Sequence, residues 1–374
     1  MIHRIIETEL LKRIHQGKLL LVVGPRQVGK TTLMRQLLKQ LNIEDLWLNC
    51  DNIDDRLSLQ EATMTSLQSL IGDRKLVFID EAQRVRNIGL TLKLLIDNFP
   101  EVQVIASGSS ALDLANTINE PLTGRKREFQ LYPFSTEELC RHTSEREEKR
   151  LLEDRLIYGF YPEVINLPAD AQEALGEITS SYLYKDLLSL EEVRKPAILQ
   201  KLLLALALQV GSEVTYNDLG NTIGIDKGTA EKYLDLLEKA FVIFRLNSFS
   251  RNMRREIKKS RKIYFWDNGI RNAIINNFNS VALRADVGAL WENFIISERM
   301  KYLAYHRIPT NVYFWRTTTG KELDWLEERG GKLYAFEAKW NPERRARLPL
   351  GFAEAYPETE FQVVHRENYL EFLI

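Results

Sequence analysis

Residues Lys18 to Thr32 read KLLLVVGPRQVGKTT, an apolar run followed directly by a loop bracketed by two glycines. The run LLLVV shows no polar alternation, as expected of a parallel strand covered on both faces. After the loop comes LMRQLLKQLN, whose apolar residues recur at helical spacing. Strand, G-x-x-x-x-G-K-T loop and helix in succession form the context in which backbone amides cradle phosphate. Gly24 and Gly29 let the backbone curl, Pro25, Arg26, Gln27, Val28 and Thr32 complete the lining, and the following helix adds its positive N-terminal dipole. Lys30 is expected to reach the β and γ phosphates of ATP, and the Thr31 hydroxyl to help hold Mg²⁺.

Working outward, Leu76 to Ile79 (LVFI) reads as a second buried strand ending in Asp80-Glu81. Asp80 is expected to bind Mg²⁺ and Glu81 to polarise the attacking water. DLWLNCDN and VQVIASGSS supply two further strands for the same sheet. Ser107 and Ser109, at the end of the latter, are candidates for sensing the γ-phosphate or the water; a simple Ser-Gly turn is the alternative. In LTGRKREFQLYPFSTEEL a basic cluster leads into another strand. Oligomeric ATPases need an arginine supplied across a subunit interface, and Arg125 is the first candidate, Arg127 the second. A solvated basic loop is the alternative.

The chain has 374 residues, enough for two or three domains. Its 44% hydrophobic content is that of a globular protein, and its net charge of −1 argues against a protein that coats nucleic acid. No apolar stretch approaches the roughly 18 residues of a membrane span. The amphipathic N-terminus MIHRIIETELLKRIHQGK lacks a signal-peptide core, so a cytoplasmic location without membrane contact is the default expectation. Cys50 and Cys140 stand alone, without metal-ligand or disulfide spacing, and read as packing residues. The five histidines are scattered singly.

GPRQVGKTT, LVFIDEAQRV, IASGSSALDL, LTGRKREFQLYPFS, GFYPEV and YLYKDL occur in the order of a large prokaryotic family that joins an AAA-type ATPase domain to a C-terminal domain of unknown function, number 4143. The chain resembles that family over nearly its whole length. The resemblance implies an architecture, and assembly into a homo-oligomer, more than a biological role.

RHTSEREEKRLLEDRL reads as a surface-facing linker helix or lid, and GFYPEV as a turn packed beneath the nucleotide domain. From Pro196 to Arg271, a helix, TYNDLGNTIGI, DKGTAEKYLDLLEKA and two strands around FVIFRLNSF and KIYFWD suggest a winged helix-turn-helix, with Gly224 in the turn and Asp226 as cap. This segment holds 13 Lys or Arg against 8 Asp or Glu, the excess lying in RNMRREIKKSRK, Arg251 to Lys262. That basic segment, as a wing, is the candidate contact to DNA or RNA phosphates, or else a protein interface. The helix Lys227 to Lys239 balances Lys227, Lys232 and Lys239 against Glu231, Asp235 and Glu238, which argues against sequence-specific reading.

At the C-terminal end, GALWENFIISERMKYL has helical spacing, and NVYFWRTTTG, ELDWLEERGG and KLYAFEAKW read as successive strands. A helix carrying Glu292, then a hairpin carrying Asp324 and Glu337-x-Lys339, looks like the core of the PD-(D/E)xK nuclease fold. Asp324, Glu337 and Glu292 could bind Mg²⁺, and Lys339 could orient the attacking water. Glu147-x-Lys149 and Glu256-x-Lys258 repeat the triplet in polar runs, so strand context sets the third apart.

The expected whole is an α/β protein: a P-loop parallel-sheet ATPase domain (1–140), a helical lid or linker (141–195), a winged helix-turn-helix (196–272) and a small α/β nuclease-like domain (273–374). Three roles compete, one of them an inactive nuclease-like fold that serves only as an assembly surface. Another is Mg²⁺-dependent ATP hydrolysis coupled to movement of a nuclease-like module acting on DNA or RNA. The third is a nucleotide-switched interaction protein whose nuclease-like fold is inactive.

Overall fold

The computed structural model describes residues 2–109, 122–183, 196–250, 261–317 and 319–374. The chain forms two compact units, one of residues 1–133 with 239–241 and the other of residues 134–238 with 242–374.

In the first unit, β1 (Leu19–Val23), β2 (Asp45–Asn49), β3 (Leu76–Asp80), β4 (Gln103–Gly108) and β5 (Lys126–Gln130) form one sheet in the order β2-β3-β4-β1-β5. Every pairing in it is parallel. The three inner strands are buried throughout, whereas the edge strands β2 and β5 are partly exposed. This matches the apolar segments LLLVV, LVFI and VIA within the former and the mixed sequences of the latter. Leu33, Met34 and Leu37 of helix Lys30–Leu41, with Leu92 and Leu95 of helix Ile88–Asn98, add to the core. Each such side chain contributes roughly 1.5–3 kcal/mol on burial. The α/β class and the parallel sheet are as expected.

The second unit starts at Phe134, six residues before the expected end of the ATPase domain. Ser135 explains the break: its hydroxyl accepts from Glu138 N at 3.2 Å while Ser135 N donates to Glu138 Oε2 at 3.0 Å. This capping box starts helix Thr136–His142. GFYPEV lies within this unit and packs on buried Asp267, whose carboxylate accepts from Phe160 N at 2.7 Å. A Cβ on Gly159 would fall 2.1 Å from Asp267 Oδ1, so only glycine fits there.

Helix Tyr216–Ile223 ends at Gly224, with φ 77°, and helix Lys227–Lys239 begins where Asp226 accepts from Thr229 N at 3.0 Å. The strands β6 (Glu213–Val214), β7 (Ile243–Ser248) and β8 (Arg261–Phe265) then join β9 (Asn311–Arg316), β10 (Glu322–Arg329), β11 (Lys332–Ala338) and β12 (Glu360–Val364). They make a single seven-stranded sheet, ordered β12-β11-β10-β9-β7-β8-β6. The link is a parallel pairing of β7 with β9, Asn247 beside Tyr313 and Ser248 beside Phe314. Segments 196–272 and 273–374, read from sequence as two domains, therefore share one sheet. Helix Val287–Tyr305 carries Leu290, Trp291, Phe294 and Ile295 in the core of this unit. Most of the basic segment, 251–260, lies outside the described residues. No helix among the described residues is long and apolar enough to cross a membrane.

Candidate functional site

The phosphate loop joins the C-terminal end of β1 to helix Lys30–Leu41. Its two glycines have different reasons to be there. Gly29 sits at φ 91°, a left-handed conformation that side chains resist. Gly24 is needed for space, because a Cβ there would lie 2.0 Å from the Leu131 carbonyl oxygen. Gln27 also takes a positive φ, 61°. Buried Arg4 braces the loop from outside, donating to Val28 O at 2.8 Å and Tyr132 O at 2.6 Å. Sequence reasoning passed over Arg4; the only signal was a cation beside an otherwise apolar helix start.

Lys30 is buried, and its ammonium donates to the Gly24 and Pro25 carbonyls at 3.0 and 2.8 Å. Thr31 Oγ1 donates to Asp80 Oδ2 at 2.7 Å, so the loop hydroxyl and the β3 carboxylate lie side by side. Ser107, on β4 between β1 and β3, donates to Asp80 Oδ1 and accepts from Glu81 N at 3.2 Å. Glu81 is itself in the left-handed region, φ 53°, a conformation that costs a non-glycine residue about 1–3 kcal/mol. Gln83 donates to Ser109 Oγ at 2.9 Å and also to the Glu81 carboxylate, linking the acid to the second serine. Gln83 went unnoticed in the sequence, two positions past the paired acids. The loop geometry and the Thr31–Asp80 pair fit a nucleotide with Mg²⁺.

Arg125 stands apart from this cluster. Because β5 runs parallel to β1 with Lys126 beside Leu19, the residue before it lies at the edge where β1 begins, opposite the loop. Five strand residues at roughly 3.3 Å each separate the two edges. Arg125 Nε donates instead to Asp97 Oδ1 at 2.6 Å on the surface.

The second unit holds a cavity of about 550 Å³. Its acidic lining comprises Glu213, Glu292, Glu322, Asp324 and Glu337. Lys262, Arg316 and Lys339 oppose them. Asp324 falls where the β9–β10 register shifts, between Leu323 and Leu326, an irregularity that re-aims a side chain. One step along from the Trp325–Phe336 pair, Asp324 faces Glu337 across the hairpin. Asp324 Oδ2 also accepts from Ala338 N at 3.0 Å. Lys339 Nζ lies 2.5 Å from Glu337 Oε2 and 3.5 Å from Asp324 Oδ2.

Glu292, from helix Val287–Tyr305, accepts from Tyr264 OH at 2.6 Å and from Lys262 Nζ at 2.8 Å. Lys262 also pairs with Glu322 and lies 3.8 Å from Asp324 Oδ1. Burial, then the Asp324 charge, pushes the Glu292 carboxyl up to about 7, and the same two causes push Glu337 up to about 7. Burial works against the Lys262 charge, but Glu292, Asp324 and Glu322 outweigh it and hold this lysine above its ordinary range. The four residues expected of a nuclease-like core do converge. Among the described residues, however, no group of three His, Cys, Asp or Glu is disposed to hold a metal ion. Lys262, counted from sequence as part of a basic wing, is buried here, and Arg261 lies over the Tyr216 ring at 4.7 Å. Cys50 and Cys140 are free, and burial pushes both thiols up to about 12, which leaves them as packing groups.

Three family models match the chain. Residues 16–140 match an AAA domain, 149–281 a domain of unknown function (DUF8612) and 287–372 a domain of unknown function (DUF4143). The chain thus pairs an AAA-type domain with a DUF4143 domain, as its motifs imply. An uncharacterized protein of Mycobacterium tuberculosis is 29% identical over 337 residues, 88% of this chain and 72% of that protein. One of Methanocaldococcus jannaschii is 26% identical over 334 residues, 78% and 70% of the two. Among solved structures, the Aeropyrum pernix ORC1 protein in complex with DNA aligns with a TM-score of 0.36 and 13% identity, over 74% of this chain and 92% of that one.

Proposed function

We propose that the chain binds ATP with Mg²⁺ on Gly24–Thr32, hydrolyses it, and uses the cycle to switch what residues 134–374 bind. The observation that carries this reading is the Thr31–Asp80 hydrogen bond of 2.7 Å beside the Lys30 ammonium. Lys30 exchanges its loop carbonyls for β- and γ-phosphate oxygens. Thr31 and Asp80 would hold Mg²⁺, which would supply positive charge to the phosphates when bound. Ser107 fixes Asp80, and Gln83 fixes the Glu81 carboxylate. Glu81 takes a proton from water as the water oxygen bonds to the γ-phosphorus; the bond to the β-phosphate oxygen breaks and ADP departs. Arg125, remote from its own loop, serves a neighbouring copy in a homo-oligomer.

For the second unit, ion pairing in the carboxylate cavity supports a binding role over phosphodiester cleavage. Two lysines already neutralise the acids a nuclease would commit to metal. Contact with DNA or RNA rests on the remaining basic residues of Arg251 to Lys262.

Phosphate release tests the ATPase reading. Glu81→Gln lowers turnover by about 10²-fold or more while ATP still binds. Turnover at the parent rate removes Glu81 as the base. Incubation with Mg²⁺ or Mn²⁺ and single- or double-stranded DNA or RNA leaves these intact; cleavage lost in Glu337→Ala reinstates the nuclease reading.

A further inference from the structure

The carboxylate cavity has the acids of a metal site but not its charge state. Lys262 enters from β8, an element outside the helix and hairpin that supply the acids. Its side chain is buried, and its ammonium touches carboxylates from both: Glu292 at 2.8 Å on the helix, then Glu322 and, at 3.8 Å, Asp324 on β10. A divalent ion bound through oxygen needs contacts of about 2.0–2.6 Å to several of the same oxygens. The ammonium and such an ion cannot share them, because they compete for the same lone pairs and repel each other.

We infer that Lys262 is a built-in cation that keeps this cavity metal-free, and that removing its charge turns Glu292, Glu322 and Asp324 into a divalent-cation site. The geometry explains why the described acids are not disposed around a metal: each is drawn to an ammonium instead. Lys339 does not substitute for Lys262, since it serves the other side of Asp324, with Glu337. Without Lys262, Glu292 keeps Tyr264 OH, Glu322 keeps Arg316 at 3.7 Å, and Asp324 keeps Ala338 N at 3.0 Å and Lys339 at 3.5 Å, with no ammonium that joins all three carboxylates. Buried carboxylates in that position either take up protons or take up a cation. This inference does not depend on ATP hydrolysis.

Mn²⁺ alone, titrated into nucleotide-free full-length protein and followed by the electron paramagnetic resonance of the free ion, tests it. Lys262→Met, close in length and apolar, gains an Mn²⁺ site at least tenfold tighter than any in the parent, and adding Asp324→Asn removes that gain. Lys262→Arg behaves as the parent. An Mn²⁺ site in the parent that Asp324→Asn removes overturns the inference, and this arm needs no Lys262 variant to fold. So does a folded Lys262→Met or Lys262→Gln protein, judged by circular dichroism, that shows no gain.

Discussion

The phosphate loop and the C-terminal cavity both set lysines beside acids at strand ends, yet they hold their charges differently. In the first, Lys30 donates to carbonyl oxygens and Asp80 accepts from the hydroxyls of Thr31 and Ser107. Neutral dipoles of that kind are exchanged at small cost when phosphate and a cation arrive. In the second, Lys262 and Lys339 satisfy Glu292, Glu322, Asp324 and Glu337 directly, and the partners must be pulled apart before anything charged can enter. Breaking a buried pair by removing one partner costs about 3–5 kcal/mol. Residue types alone would have ranked the two sites alike; the partners of each charge distinguish a receptive site from a self-satisfied one.

The largest expected effect tests the receptive side. Lys30→Ala lowers ATP turnover by about 10²–10³-fold, the scale of losing one donor aimed at developing charge. Phosphate release near the parent rate would mean that the loop's lysine is not used and would erase the contrast.

A smaller effect concerns pH and the self-satisfied side. Glu292 and Glu337, ordinarily ionising near 4.5, are raised to about 7 in the folded chain. Between those values the folded protein retains protons that the unfolded chain has released. Stability from this source is full below about 4.5, falls as pH rises, and is gone above about 7. Glu337→Gln, which mimics the protonated form, makes denaturant midpoints decline less between pH 5 and 7.5. An equal decline in parent and variant would show that Glu337 ionises normally.

The smallest effect belongs to Arg125. Its pair with Asp97 is exposed, so Arg125→Ala leaves stability and nucleotide affinity unchanged. Turnover falls only in the assembled protein. Equal turnover of parent and variant at assembling concentrations removes Arg125 from the reaction.

Local pattern made β1, the loop and the helix after it legible, because a buried strand, two glycines and a helical repeat all fall within a few dozen residues. Thr31 and Asp80, 49 positions apart, were each singled out by motif, and the parallel sheet brings them together. Two features were not legible. Charge counting treats Arg261 and Lys262 as solvated, whereas strand register buries Lys262 beside Leu246 of β7. β12 was missed because Glu360–Val364 is only five residues long and partly exposed, so its alternation is too short to stand out. The position of Arg125 was recoverable: in a parallel sheet, residues that precede a strand lie at the edge away from ligand.

The pairing of β7 with β9 carries one more consequence. A cut between residues 272 and 273 would strip β9 of its parallel neighbour and leave its backbone amides and carbonyls unpaired along a bare strand edge. It would also take Lys262 away from Glu292, Glu322 and Asp324. Expressed alone, each fragment would present a sticky, charge-unbalanced face, so residues 196–272 and the acid-lined cavity depend on one shared sheet.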